Sequence, residues 1–411
     1  MRNWRRILAV MLAAAMALSA TACSSSSSSS SDTTAAETEA AGDETTAAGD
    51  ETTAAEGETE AASAGSSDLS YADYEASDVY VASEEAAVYE GTDEWPETYW
   101  YYTCSTGDTS TWAQAGYYFN ALMQESTNGA VQIGVYASDQ LTNGSQTDGI
   151  QALMDGATIQ VSMHSNLIYA NFDTRFNVVS LPYLFEDYDA VDTAMAGEGG
   201  EALKEVLAEY GLVCEGIGEN GFRQITNSSK PITSVSDLAD LKMRICSNDL
   251  CEEVYKEWGC DATVMNWSET YTALQQGTVD GQENPETAID SASVQDVQSY
   301  ISLWNAYYDC LFFCINQSAY DQFTDEQKAV IDENAAKAVA YQIAINRDNV
   351  EALVAEWTES GVMEVTTYDE IDTDSFKEAC SGAEDWYIEQ LVANGMTEDE
   401  ATAYIDSFKA E

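Results

Sequence analysis

Positive charge is scarce in this chain. Its 411 residues carry 15 Lys and Arg against 73 Asp and Glu, a formal net charge of −58, and no Lys or Arg occurs between Arg6 and Arg175. A surface of that sign repels nucleic acid and anionic lipid head groups, which excludes both as partners. Histidine is scarcer still, with His164 the only one. That leaves a Ser-His-Asp triad dependent on a single position, and the chain has no HExxH, no GxSxG, no P-loop and no GxGxxG after a strand. No pair of cysteines forms CxxC, and the pairs Cys246/Cys251 and Cys310/Cys314 have no histidines beside them to complete a zinc site. Acidic runs such as 43–51 lack the spaced ligands and glycine of a calcium loop. Neither a metal nor a cofactor is expected.

One long apolar run is present, residues 7–20, and at 14 residues it is shorter than the roughly 18 needed to span a membrane. It follows Arg2, Arg5 and Arg6 and ends at Thr21, Ala22 and Cys23, the layout of a secretory signal peptide over 1–23. Small residues before a cysteine suit a lipoprotein signal peptidase, so Cys23 is expected to become the lipidated N-terminus of a protein anchored outside the cytoplasm. Residues 24–97 are mostly Ser, Thr, Ala, Gly, Asp and Glu, with GDETTAA repeated at 42–48 and 49–55 and Tyr71, Tyr74, Tyr80 and Tyr89 toward the end. Such a segment builds no core and reads as a disordered acidic linker that spaces a folded part from the membrane. Without the three leader arginines, four remain: Arg175, Arg223, Arg244 and Arg347. A strongly acidic protein that binds an anion must concentrate such residues at the ligand. Eight further cysteines, an even number in an exported chain, permit disulfides, and buried free thiols fit equally well.

Residues 98–411 exceed one typical domain and suit two lobes. TYWYYTC from Thr98, a helix pattern over 110–126, the strand VQIGVY, a helix over 146–154 and TIQVSM give an α/β alternation. A second unit past Gly221 repeats it with LKMRICS, a helix over 249–258 and ATVM. Alternation of this kind predicts parallel crossovers, a doubly wound sheet and a ligand at the strands' carboxyl ends. Over 325–359 the residues Ile331, Ala335, Val339, Ile343, Val350, Leu353 and Trp357 share one helix face. With Thr324 and Gln327 as a capping box and Gly361 as a stop, that helix is about 50 Å long, enough to cross two lobes.

The segment WSETYTALQQGTVDGQENP over 267–285 predicts a helix capped by Ser268, a stop at Gly277 and a strand that delivers Asn284. It resembles the ATALQxGxVDGxExP-like run of the solute-binding proteins of tripartite ATP-independent periplasmic (TRAP) transporters, the DctP-like family. SDLADLKMRI, ending near Arg244, is similar to that family's DLKGLKIR run, and GFRQITNSSKPI around Arg223 to its GxRxxTxxKPI pattern. The resemblance implies a two-lobed periplasmic-binding-protein-like fold with a long helix spanning both lobes. It implies lobe I over 98–221 plus 310–349 and lobe II over 222–309 plus 350–411. It further implies a receptor, not an enzyme, for a small organic acid, with the transporter's membrane subunits as partners. Arg244 would grip the ligand carboxylate with its rigid fork, Trp267 would form an aromatic wall, and Asn284 would read a hydroxyl or a second carboxylate edge. Arg223 is expected as a second cationic contact and His164 as a polar residue facing the ligand. The residues alone also allow Arg244 to be a surface partner of Asp240 or Glu252 and Trp267 to be core. A receptor for an ABC importer and a surface glycan hydrolase remain as alternatives.

Overall fold

The computed structural model describes residues 85–409, so the signal peptide, Cys23 and most of the linker lie outside the described residues. In chain order the strands are β1 (Thr98–Cys104), β2 (Val131–Tyr136), β3 (Val161–Ser165), β4 (Leu212–Phe222), β5 (Gln224–Asn227), β6 (Lys242–Ile245), β7 (Asp261–Val264), β8 (Gly281–Asn284), β9 (Tyr300–Ser302), β10 (Tyr308–Asn316) and β11 (Glu364–Thr366). The α-helices are α1 (Thr111–Thr127), α2 (Gln146–Asp155), α3 (Asn166–Tyr169), α4 (Tyr188–Ala196), α5 (Glu198–Glu209), α6 (Asp249–Glu257), α7 (Trp267–Gln275), α8 (Glu286–Ser291), α9 (Gln317–Tyr320), α10 (Asp325–Ser360), α11 (Thr373–Ala379), α12 (Ala383–Ala393) and α13 (Glu398–Asp406).

Two sheets form, in the orders β2-β1-β3-β10-β4 and β11-β9-β5-β8-β6-β7. The strand-helix alternation predicts parallel pairing, and β2-β1-β3 and β8-β6-β7 are parallel. Neither sheet is purely doubly wound, however. β10 runs antiparallel to β3 and β4, and β5 antiparallel to β8 and β9. The reason is connectivity: β5 arrives directly from β4 of the first sheet, with only Arg223 between them, and β10 arrives from β9 of the second, so each enters its sheet from the other sheet and not by a parallel crossover from a neighbour in its own.

Helix α10 makes a third connection. Thr324 and Gln327 form the expected capping box, and Gly361 at φ 68° ends the helix after 36 residues, about 54 Å. Its first half buries Ile331, Ala335, Val339 and Ile345 among Trp100, Phe119 and Phe313 of the first sheet's layer. Its far end buries Trp357 among Leu274, Ile289 and Ile301 of the second. Between them no residue of 347–356 is buried, which marks where the helix passes from one sheet to the other.

Residues 85–97 correct the expected extent of the linker, because they lie on the domain. Ala87 N–H donates to Asn334 Oδ1 at 2.9 Å, its carbonyl accepts from Ser126 Oγ at 2.7 Å, and Tyr89 meets Trp95 edge to face with centroids 5.0 Å apart. The C-terminal helices touch both halves: Trp258 Nε1 donates to Phe376 O at 3.1 Å, and the Tyr387 and Tyr404 hydroxyls donate to the carbonyls of Thr174 and Arg175, each at 3.0 Å. All eight described cysteines are free thiols, and all but Cys214 are buried. Among the described residues no helix is long and apolar enough to cross a membrane.

Candidate functional site

Parallel strands leave their carboxyl ends at a common edge, and here both sheets turn that edge toward one narrow, closed cleft of about 30 Å³. Ser105 and Thr106 follow β1, Ser165 ends β3, Cys246 follows β6 and Asn284 ends β8, and all five line it. Trp112 from the first turn of α1, Gln146 at the start of α2, Arg223, Arg244, Trp267 and Asp309 complete most of the wall.

The arginines separate by what they touch. Arg175 pairs with Asp173 at 2.6 Å and Glu209 at 2.7 Å, and Arg347 with Asp192 at 2.6 Å and Glu219 at 2.8 Å. Arg223 is held by Glu283 and Asp309. Arg244 has no carboxylate partner within 4.0 Å among the described residues. It is 1% exposed, and its Nε and Nη2 donate to the Met265 carbonyl at 3.0 and 2.7 Å. Its guanidinium carbon sits 5.5 Å from the Trp267 ring centroid, within cation–π range. Burial pushes the Arg244 guanidinium down from its ordinary value, while Cys246 and Glu283 push it up. A buried cation without a counter-ion is costly, and in a protein this acidic a carboxylate partner was easily available. Neither Asp240 nor Glu252 fills that role.

Arg223, expected as a second cationic contact, borders the cleft with four of its five N–H groups already engaged. Nε reaches Glu283, Nη1 reaches Asp309, and Nη2 donates to the Glu283 carbonyl at 2.9 Å and to Oε1 at 3.0 Å. Because it stands between β4 and β5 while Asp309 lies in β10 and Glu283 in β8, this cluster pins the two sheets together at their crossing. Asn284 lines the cleft, its amide nitrogen donating to Gln282 Oε1 at 2.9 Å. His164 is not brought to the cleft. It is fully buried in β3, with Nε2 2.9 Å from Asp139 Oδ1 and Nδ1 3.1 Å from Ser162 Oγ. It holds Asp139 in the left-handed turn (φ 49°) that leads into α2 and Gln146.

Ser268 also departs from expectation. Helix α7 is capped two residues earlier, at Asn266, and begins at Trp267, while the Ser268 hydroxyl crosses to donate to the Gly144 carbonyl at 3.1 Å. Trp267 N–H donates to Gln146 Oε1 at 3.4 Å, and Asn171 exchanges hydrogen bonds of 2.7 and 3.0 Å with Ser247. These contacts join elements of the two sheets over the cleft and hold it in a closed form. Ser105, Thr106, Trp112, Asn220 and Asp309 escaped the sequence reading. The strand-end rule applied to β1 and β3 would have found Ser105, Thr106 and Ser165, whereas Asp309 carries no local signal.

A second cleft of about 440 Å³ lies against α10, lined by Tyr188, Glu286, Glu351 and Tyr368 among others, with no Lys or Arg in its wall. An anion is repelled there, so charge, not size, identifies the candidate site.

Residues 103–390 match the model of the DctP family, bacterial extracellular solute-binding protein, family 7. Among relatives, the chain is 28% identical over 275 residues to the 2,3-diketo-L-gulonate-binding periplasmic protein YiaO of Escherichia coli K12, covering 67% of this chain and 82% of that protein. It is 30% identical over 247 residues to the C4-dicarboxylate-binding periplasmic protein DctP of Rhodobacter capsulatus, covering 60% and 73%. Among solved structures, the sugar acid binding protein DctPAm of Advenella mimigardefordensis with galactonate superposes with a TM-score of 0.70 at 27% identity, covering 77% of this chain and 99% of that one. A TRAP periplasmic solute-binding protein of a Polaromonas species bound to D-erythronate gives 0.70 at 28% identity, covering 77% and 100%. With a strand-end cleft between two sheets bridged by one long helix, and a family match over more than half its length, the chain belongs to the DctP family of bacterial extracellular solute-binding proteins.

Proposed function

We propose that this protein is an extracytoplasmic receptor that holds a small organic acid by its carboxylate on Arg244 and delivers it to the membrane subunits of a TRAP-type secondary transporter. The observation that carries the reading is the buried Arg244 guanidinium, the one described arginine without a carboxylate partner in a chain of net charge −58. A guanidinium fork meets two carboxylate oxygens at once, and Trp267 beneath it excludes water. Asn284 supplies neutral hydrogen bonding, while the charge of Arg223 is taken up by Glu283 and Asp309. The relatives named for 2,3-diketo-L-gulonate, C4-dicarboxylates, galactonate and D-erythronate support an acid as the ligand class. Binding breaks no bond. Lobe I would comprise 98–221 plus 310–349 and lobe II 222–309 plus 350–411. A lipid on Cys23 and the acidic linker would tether them to the membrane.

The test is a thermal-shift screen of the full chain against organic acids, with neutral sugars as controls. An acid at 100 times its dissociation constant adds about 2.7 kcal/mol of stability. Arg244→Ala is expected to lower affinity by about 3–5 kcal/mol, roughly a hundredfold to a few thousandfold, and to erase the shift. A variant that kept tight acid binding would remove Arg244 from its assigned role.

A further inference from the structure

Resting on the receptor reading above, we propose that Asp309 is a specificity-determining residue: by neutralising Arg223 at the cleft wall, it limits the site to one ligand carboxylate and selects polyhydroxy monocarboxylates over dicarboxylates.

The charges at the crossing decide this. Two guanidinium groups, Arg223 and Arg244, stand at the cleft, and two carboxylates, Glu283 and Asp309, are bound to the first of them. Burial pushes Asp309 up while Arg223 and the hydrogen bonds from Ser165 and Asn220 hold it down; with both carboxylates ionised the Arg223 cluster carries one net negative charge, and Arg244 is left as the one cation a ligand can neutralise. A first ligand carboxylate brings Arg244 its missing partner. A second would have to face Asp309, which lines the cleft and is itself fully buried, so the like charges would meet out of reach of solvent screening.

The remaining chemistry of the wall suits hydroxyl groups. Asp309 accepts from Ser165 Oγ at 2.6 Å, from Asn220 Nδ2 at 2.7 Å and from Arg223 Nη1. A carboxylate offers about four lone-pair directions, so one remains to accept from a ligand O–H, whereas a ligand carboxylate has no proton to give it. Ser105 Oγ is buried in the same wall with no hydrogen-bond partner, and a neutral hydroxyl of the ligand satisfies it without adding charge. Gln146 and Asn284 add groups that both donate and accept. One cation, one residual anionic acceptor and several neutral polar groups describe a site for an acid with one carboxylate and a chain of hydroxyls.

Isothermal titration of the full chain with galactonate and with succinate tests the assignment, beside Asp309→Asn and Arg244→Ala. The wild-type protein is expected to prefer galactonate by roughly a hundredfold. Asp309→Asn is expected to narrow that ratio at least tenfold by strengthening succinate binding relative to galactonate. Because the substitution also loosens a buried cluster, Asp309→Glu, which keeps the charge, should retain the wild-type ratio if it folds, and the wild-type ratio stands as a test without either variant. Equal or tighter binding of succinate by the wild-type protein overturns the proposal, and so does a ratio unchanged in a folded Asp309→Asn. Acid binding that is lost in Arg244→Ala but shows no preference overturns only this inference and leaves the receptor reading standing. Silence toward both acids overturns this inference, and silence across the whole acid screen overturns the receptor reading with it.

Discussion

At the scale of single residues, Arg223 and Arg244 show how one side chain serves two purposes according to its neighbours. Arg223 is buried between two carboxylates and ties β8 to β10, so replacing it by alanine strands Glu283 and Asp309 without a counter-charge. Arg223→Ala is expected to lower unfolding stability by about 3–5 kcal/mol, measured by denaturant titration without ligand. Arg244→Ala removes an unpaired buried charge and strands no carboxylate. Its ligand-free stability should be unchanged or higher even though binding is lost, the pattern of a residue kept for function at a cost in stability. Equal destabilisation by the two variants would contradict the division of labour drawn here. Both arginines were legible in the sequence by their family-like runs. Which of them was free was not, because Asp309 and Glu283 lie 86 and 60 residues from Arg223.

At the scale of elements, the glycine in VDGQEN has a purpose that its motif does not reveal. Gly281 opens β8 opposite Asn227 of β5, and a Cβ there would collide with the Thr226 main-chain carbonyl and lie 2.8 Å from the Met243 methyl. A carbonyl fixed in a strand cannot retreat as a side-chain tip can. Gly281→Ala should therefore part β5 from β8, cost about 1–3 kcal/mol, and weaken ligand binding by shifting Asn284 three residues along the same strand. Calorimetric stability and acid affinity would both fall, and a variant with wild-type values for both would refute the close approach. Helix α10 was the most legible element, because capping box, periodicity and glycine stop all act within the helix itself. Strand β3 was less so: TIQVSM was read as strand, yet pairing begins only at Val161. The start of α7 was misplaced because Ser268, a good cap by type, forms its hydrogen bond across the cleft.

At the scale of the whole molecule, an excess of buried carboxyls sets the response to pH. Burial, reinforced by Asp332, pushes Glu215 up to about 8, and burial pushes Glu286 up to about 7. A carboxyl raised in the folded state binds its proton more tightly there than in the unfolded chain. Between the ordinary carboxyl range and pH 8 the native state thus holds more protons, so stability falls as pH rises through that window. The melting temperature is expected to decline from pH 5 to pH 9, and Glu215→Gln to flatten the decline. A slope unchanged in that variant would acquit Glu215. Added salt should raise the melting temperature at pH 8, since a net charge of −58 repels itself and screening relieves it.

The sequence by itself determined the α/β alternation, the long capped helix and the shortage of cations that makes each arginine informative, since these follow from local periodicity, capping and composition. It also carried the family in three short runs, around Arg223, around Arg244 and over 267–285. Only the tertiary structure decided that β5 and β10 run against their sheets, that residues 85–97 lie on the domain, and that His164 stays beneath the cleft. The same is true of Asp309's claim on Arg223. Each of these depends on which distant carboxylate, carbonyl or strand comes within reach once the chain closes, and spacing along the sequence holds no record of that.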